Sequence, residues 1–300
     1  MAKKESYRCS ECGWLSAKWQ GQCRQCQAWG TLAEVGASAG LAKTAVRTPI
    51  QAAQPISQVS AESAQARPSG VGELDRVLGG GIVPGAVILL AGEPGVGKST
   101  LLLTVAANAA RQAKLTGAGS VLYITGEESA SQVRLRAARI DALADNLLLA
   151  AETELGAVLG QVEQANPALL IVDSVQTIAS ADVEGSAGGT SQVRAVAASI
   201  IALAKERNIP VLLVGHVTKD GGIAGPRVLE HLVDVVCQFE GERHARLRLL
   251  RAVKNRYGPT DEVGCFELGE RGIVELADPS GLFLSQARSE VPGTCATVTL

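Results

Sequence analysis

Four short stretches of the chain are apolar at nearly every position rather than at alternate ones. They are Val87-Ile-Leu-Leu-Ala91, Val121-Leu-Tyr-Ile-Thr125, Ala168-Leu-Leu-Ile-Val-Asp173 and Pro210-Val-Leu-Leu-Val-Gly215. A strand with one wet face alternates, whereas an unbroken apolar run suits a strand buried on both faces, as in a parallel sheet covered by helices. Leu101–Arg111 carries helical spacing directly after the first run. The pattern predicts an α/β domain with a mostly parallel central sheet. A later segment differs, because Arg246 and Arg248 alternate with Leu247 and Leu249, which predicts a strand with one cationic face. From Val35 to Ala66 the chain is Ala, Gly, Ser, Gln and Thr with Pro49 and Pro55 and no sustained period. That is linker composition, and it predicts a small module at residues 1–34 tethered by residues 35–66 to a large domain beginning at residue 67.

Composition sharpens this picture in two places. The 300 residues hold 33 glycines but only 3% aromatics, so the core is aliphatic and the backbone turns tightly in many places, a bias of α/β proteins. Collagen, coiled-coil and disulfide-stapled classes are excluded. No apolar run reaches the roughly 18 residues a membrane helix needs, and Met1-Ala-Lys-Lys-Glu5 does not open a signal peptide, so a cytoplasmic location is expected. The net charge of −2 is silent on local patches.

Four of the seven cysteines stand as Cys9-x-x-Cys12 and Cys23-x-x-Cys26. In a reducing compartment, paired knuckles read as a tetrahedral metal site, structural zinc above all, with iron in a rubredoxin-like site using the same ligands. Some thirty residues cannot bury enough surface to fold unaided, which gives the metal its role. Trp14, Trp19 and Trp29, all the tryptophans of the chain, fall in this module, either covering the metal or exposed to stack on a base or a partner. Cys237, Cys265 and Cys295 read as small core residues.

Between the first apolar run and the helix lies Gly92-Glu93-Pro94-Gly95-Val96-Gly97-Lys98-Ser99-Thr100, a GxxxxGK[ST] loop in its required strand–loop–helix setting. Its glycines let backbone N–H groups close around phosphates, Lys98 reaches the β- and γ-phosphates, and the Ser99 hydroxyl ligates Mg²⁺. ATP or ADP with Mg²⁺ is the expected ligand. Asp173 ends a buried strand where a second acid meets the Mg²⁺ shell. Glu127 or Glu128, after another strand, can activate the attacking water, with the other capping the helix from Ser129. His216, at the tip of the fourth strand, can sense the γ-phosphate. Glycine-rich segments 182–191 and 219–225 follow on the same edge and read as mobile binding loops. Lys254 and Arg256 precede a turn, where cations can reach across a subunit boundary as arginine fingers do.

Gly70-Val-Gly-Glu-Leu-Asp75-Arg-Val-Leu-Gly79-Gly-Gly81, running into this loop, resembles the entry to a RecA/KaiC-type ATPase core. With the four-cysteine module in front, His216-Val-Thr-Lys-Asp-Gly221 and Lys254-Asn-Arg-Tyr-Gly258, the order of motifs resembles the bacterial RadA (Sms) DNA repair family across essentially the whole chain. The resemblance implies a RecA-like P-loop ATPase over residues 67–285 behind a zinc-ribbon-like module. It implies a homo-oligomeric ring, a hexamer, that binds single-stranded DNA and drives branch migration of recombination intermediates beside RecA, with other replicative or repair proteins as further partners. It places the catalytic base at Glu127 rather than Glu128, and Lys254 and Arg256 on the KNRFG signature, with Tyr257 in place of its phenylalanine. It puts DNA-contacting loops at the glycine-rich segments, with Arg194, Lys219 and Arg227 as phosphate contacts. It also implies that residues 286–300 begin a Lon-protease-like domain that is cut short here. A KaiC-like regulatory ATPase acting on proteins is the competing expectation.

Overall fold

The computed structural model describes residues 7–34, 55–58, 64–216, 227–242 and 245–276. The chain divides into two compact units, Met1–Val59 and Ser60–Leu300. Most of the expected linker, residues 219–225 and the segment 286–300 with Cys295 lie outside the described residues.

In the first unit, β1 (Tyr7–Cys9) pairs antiparallel with both β2 (Leu15–Ser16) and β3 (Leu32–Glu34). The two knuckles repeat one geometry. Gly13 N–H donates to Cys9 O and Gln27 N–H to Cys23 O, both at 2.9 Å. Cys9 N–H then reaches Trp14 O, and Cys23 N–H reaches Ala28 O, again at 2.9 Å. Gly13 and Gln27 adopt left-handed φ of 74° and 58°, which closes each turn tightly behind its second thiol. Among the described residues the buried apolar core is Cys9, Cys23 and Leu32, with Tyr7 and Trp14 packed on it. Trp14 therefore covers the module, while Trp19 and Trp29 stand 63% and 76% exposed.

The second unit runs α1 (Gly72–Leu78), β4 (Val87–Gly92), α2 (Lys98–Thr116), β5 (Val121–Thr125), α3 (Ala130–Arg139), β6 (Leu147–Ala151), α4 (Leu155–Ala165), β7 (Leu169–Asp173), α5 (Thr190–Arg207), β8 (Val211–His216), α6 (Arg227–Glu230), β9 (Val235–Glu240), β10 (Leu247–Asn255), β11 (Val263–Gly269) and β12 (Gly272–Glu275). One nine-stranded sheet takes the order β12-β11-β10-β9-β4-β8-β7-β5-β6. The strands from β9 to β6 in that order are parallel, and β10 to β12 add an antiparallel flank.

The unbroken apolar runs are the central strands, and their two faces feed separate cores. Ile88, Leu90 and Ile171 pack with α1, α2 and α3, whereas Leu89, Leu170 and Val172 pack with α4 and α5. This is the mostly parallel α/β sheet covered on both faces that the hydrophobic pattern predicts. Because β4 to β9 are mutually parallel, their βα connections emerge at one edge, the place where such folds put their sites.

Two expectations about side chains change. Arg248 does not belong to a solvated cationic face: it is 3% exposed and shares the core-facing side of β10 with Leu250 and Ala252. Glu128 does not cap α3. Ser129 does, accepting from Gln132 N–H while the Gln132 side chain accepts from Ser129 N–H, a complete capping box. Of the segment 182–191, expected as a mobile loop, residues 190 and 191 open α5, and Val183 O and Gly185 O, with Ser180 O before them, accept from the amide of the buried Gln192.

Candidate functional site

Register brings the predicted residues to one edge. Gly92 pairs with His216 across β4 and β8, Thr125 with Asp173 across β5 and β7, and Ala91 with Gln238 across β4 and β9. Beneath the 92–100 loop lies Phe239, which meets Phe266 edge to face with ring centroids 5.9 Å apart. A Cβ on Gly92 would sit 2.3 Å from Phe239 O, so only glycine fits there. On the other side, Gly95 holds φ of 81° and a Cβ there would meet nothing within 4 Å. The loop is thus packed from below and open above. Helix α2 starts after Gly97 (φ 110°) with no side-chain cap, and Ser99 and Thr100 are half-buried in its first turn. Its leading N–H groups face the cradle, an arrangement that suits phosphate.

Lys98 is 3% exposed, and its ammonium donates to Gly92 O and Glu93 O at 2.8 Å each. Burial pushes it from the ordinary 10.5 down to about 8, with Asp173 and Glu127 pulling the other way. Bound phosphate would restore the charge, so binding above pH 8 must take up a proton. The sign follows: the free site is charged below about 8 and increasingly neutral above it. Nucleotide affinity should therefore hold below pH 8 and fall as pH rises above it, by at most about tenfold per unit. Calorimetric titration at pH 9 in two buffers of different ionisation enthalpy should show proton uptake; identical heats in both would refute this coupling.

The acids are sorted by their neighbours. Asp173 is 7% exposed and accepts from the buried Tyr123 hydroxyl at 2.6 Å. Burial, followed by the Asp173 charge, pushes the Tyr123 phenol well above its ordinary range, so it stays a donor. Glu127 Oε1 accepts from Ser174 Oγ at 2.6 Å and lies 2.8 Å from His216 Nε2. Both partners converge on one oxygen, and the other carboxylate oxygen is left for the cleft. Glu128 instead forms an ion pair with Arg136 on α3. The loop itself is braced by Arg248, whose Nε donates to Val96 O at 3.0 Å while Nη1 donates to Ala245 O and Leu247 O at 2.7 and 2.8 Å.

Tyr123, Ser174 and Arg248 escape the sequence reading. Tyr123 meets Asp173 only because β5 and β7 are neighbours in space, and no local spacing reports that. Arg248 does leave a signal, since its i+2 and i+4 partners Leu250 and Ala252 are apolar, whereas Leu247 and Leu249 are each half-buried.

Lys254 and Arg256 lie elsewhere. Strand β10 runs antiparallel to β9, with Asn255 opposite Val235, so its end sits at the sheet edge opposite Gly92. The six residues of β4 separate the two edges by about 20 Å. Lys254 Nζ donates to Glu230 O and Val233 O at 2.7 Å, and Arg256 Nη1 pairs with Asp234 Oδ1 at 3.3 Å. Asp234, 5% exposed in its side chain, also receives Lys205 Nζ at 2.5 Å and Val87 N–H at 3.0 Å. The Arg256 side chain is 57% exposed. Of the expected DNA contacts, Arg194 is exposed near the start of α5, Arg227 is placed as the first residue of α6, and Lys219 lies outside the described residues.

In the first unit, the Sγ atoms of Cys9, Cys12, Cys23 and Cys26 all lie within 4.8 Å of one another. Cys9–Cys26 and Cys12–Cys23 are each 3.6 Å apart. A tetrahedron with metal–sulfur bonds of about 2.3 Å has edges of about 3.8 Å, so the four thiols fit such an ion. Thr31 Oγ1, 3.2 Å from Cys9 Sγ, is placed to donate to that thiolate. Cys237 is fully buried and its thiol is pushed up to about 12 by burial, which makes it inert packing, and Cys265 is 8% exposed.

Comparison with known proteins meets this geometry at both sites. Residues 52–222 match the AAA domain family and residues 7–34 the rubredoxin metal binding domain family. The chain belongs to the AAA domain family. It is 53% identical to the DNA repair protein RadA of Mycobacterium tuberculosis, over 99% of this chain and 62% of that protein. It is 52% identical to the RadA of Mycolicibacterium smegmatis (99% of this chain, 65% of that protein) and 45% to that of Listeria monocytogenes (97% and 63%). The resemblance carried by the order of motifs therefore holds over nearly the whole of this chain, which spans less than two thirds of these relatives' length. No helix among the described residues is long and apolar enough to cross a membrane.

Proposed function

We propose that the chain is the ATPase core, with its metal module, of a DNA repair motor that hydrolyses ATP in response to single-stranded DNA. The observation that carries this reading is the gathering of Lys98, Asp173 and Glu127 around an open phosphate cradle at one sheet edge, with Glu127 held by two partners on a single oxygen. A pure nucleotide sensor has no use for a positioned carboxylate of that kind.

In this mechanism Lys98 binds the β- and γ-phosphates and the loop amides orient them. Ser99 and Asp173 would hold Mg²⁺, which when bound would supply charge neutralisation beside the phosphates. Ser174 and His216 fix Glu127 Oε1, so the free oxygen takes the proton of the attacking water. Lys254 and Arg256 serve the neighbouring subunit's γ-phosphate in a homo-oligomeric ring, since about 20 Å separates them from the cradle of their own chain. Arg194, Lys219 and Arg227 contact DNA phosphates. The similarity to proteins named DNA repair protein RadA supports a repair role, within which branch migration beside RecA is the task assigned to this motor, with zinc on the four thiolates.

Glu127→Gln tests the reading at its centre. The amide cannot take a proton, so ATP turnover should fall by about 10²- to 10⁴-fold while ATP binding is retained. Turnover unchanged in that variant would remove Glu127 from the chemistry and with it this mechanism.

A further inference from the structure

The metal module carries a feature that its fold does not explain. Trp14 packs against the small core with Tyr7, yet Trp19 and Trp29 are 63% and 76% exposed. Two open indoles on a unit this small form an apolar surface with no use inside the module. Both stand on the strip around the second knuckle. Gln22 bridges to Trp29, and Gly30 N–H donates to Gly21 O at 2.8 Å, which closes the strip on itself. A Cβ on Gly21 would lie 3.6 Å from Trp29 Cζ3, so the benzenoid part of the indole rests near that glycine while most of the ring stays open.

The electrostatics of the strip point one way. Between Cys12 and Leu32 there is no aspartate or glutamate, while Lys18 and Arg24 are exposed on the same stretch of chain as the two indoles. Arg24 Nε donates to Gln20 Oε1 at 2.8 Å, which restrains the guanidinium through the residue that follows Trp19 in the chain. Pre-positioned aromatic faces interleaved with cations match the chemistry of an unpaired strand, in which every base has a π-face and every link a negative phosphate.

We propose that Trp19 and Trp29 form a stacking platform for the bases of single-stranded nucleic acid, with Lys18 and Arg24 taking adjoining phosphates. This gives the metal module its own strand contact, independent of the residues assigned to the ATPase domain, and it rests on the proposed function only for the class of partner.

The chain offers a clean readout. All three tryptophans are in the module, so intrinsic tryptophan emission of the full metal-loaded chain reports this unit alone. Titration with an oligothymidylate, in the absence of ATP, should give a saturable quench that weakens with salt. Trp19→Ala combined with Trp29→Ala should weaken binding of a labelled oligothymidylate, followed by anisotropy, by about tenfold or more with metal content unchanged. Trp14→Phe should leave both the quench and the affinity in place. Anisotropy that shows binding while the emission stays constant would assign the strand to the ATPase domain and the indoles to a protein partner, overturning this proposal but not the proposed function. No binding by either readout would defeat both.

Discussion

Two inactive variants, Glu127→Gln and Arg256→Ala, recover ATP turnover when mixed. The expectation follows from the sheet. Arg256 stands at the edge opposite the phosphate cradle, so within one chain it cannot reach the γ-phosphate of its own site. A finger supplied in trans is worth about 10³- to 10⁵-fold in turnover, and Arg256→Ala alone should lose that much while each subunit still binds nucleotide. In a mixed ring, an interface between a cradle from the Arg256→Ala chain and a finger from the Glu127→Gln chain is wild type. Random assembly of equal amounts makes about a quarter of the interfaces of this kind, so activity should return to that order. A finger acting in cis predicts no recovery at any ratio. Lys254→Ala should complement Glu127→Gln in the same way. Its ammonium already satisfies two carbonyls at the end of β10, so its fold should be checked by thermal melting before its kinetics are read.

Stripping the metal should unfold residues 7–34 and leave the nine-stranded sheet intact. Among its described residues the module buries three apolar side chains in its core, far too little to offset the entropy of ordering its backbone. A structural tetrathiolate ion contributes on the order of 10–16 kcal/mol of apparent binding energy, and here that is the folding energy of the unit. Chelation should shift the tryptophan emission as Trp14 enters water, while far-ultraviolet dichroism and ATP binding change little. Cys9→Ser should do the same, because Cys9 is both ligand and buried core. An emission spectrum indifferent to chelation would refute the assignment. Elemental analysis settles which ion is present: one zinc per chain and no colour on the present reading, a red-brown protein if iron fills the thiolates instead.

The parts of this molecule that were legible in advance share one property, that their signal is local. The phosphate loop needs nine consecutive residues and a strand before them. The metal site needs two turns of four. The parallel sheet announces itself in runs such as Val87–Ala91, where both faces are apolar. What escaped depends on neighbours distant in the chain. Whether Glu127 or Glu128 faces the cleft is decided by Ser174, His216 and Arg136, which come from three different elements. The phase of β10 is not legible locally, because an alternating strand has two faces and charge alone does not say which of them meets water. Leu250 and Ala252, together with the Val96 carbonyl waiting above them, turn that face inward. The remoteness of Arg256 from the cradle follows from an antiparallel pairing that no spacing within the motif reveals.

Steady-state ATP turnover by the full chain, with and without single-stranded DNA across a salt series, tests the central claim most directly. The account predicts stimulation by the strand. It also predicts apparent strand affinity falling with the logarithm of salt at a slope of at least about −2, as three phosphate contacts require. Turnover indifferent to the strand at every salt concentration would contradict it.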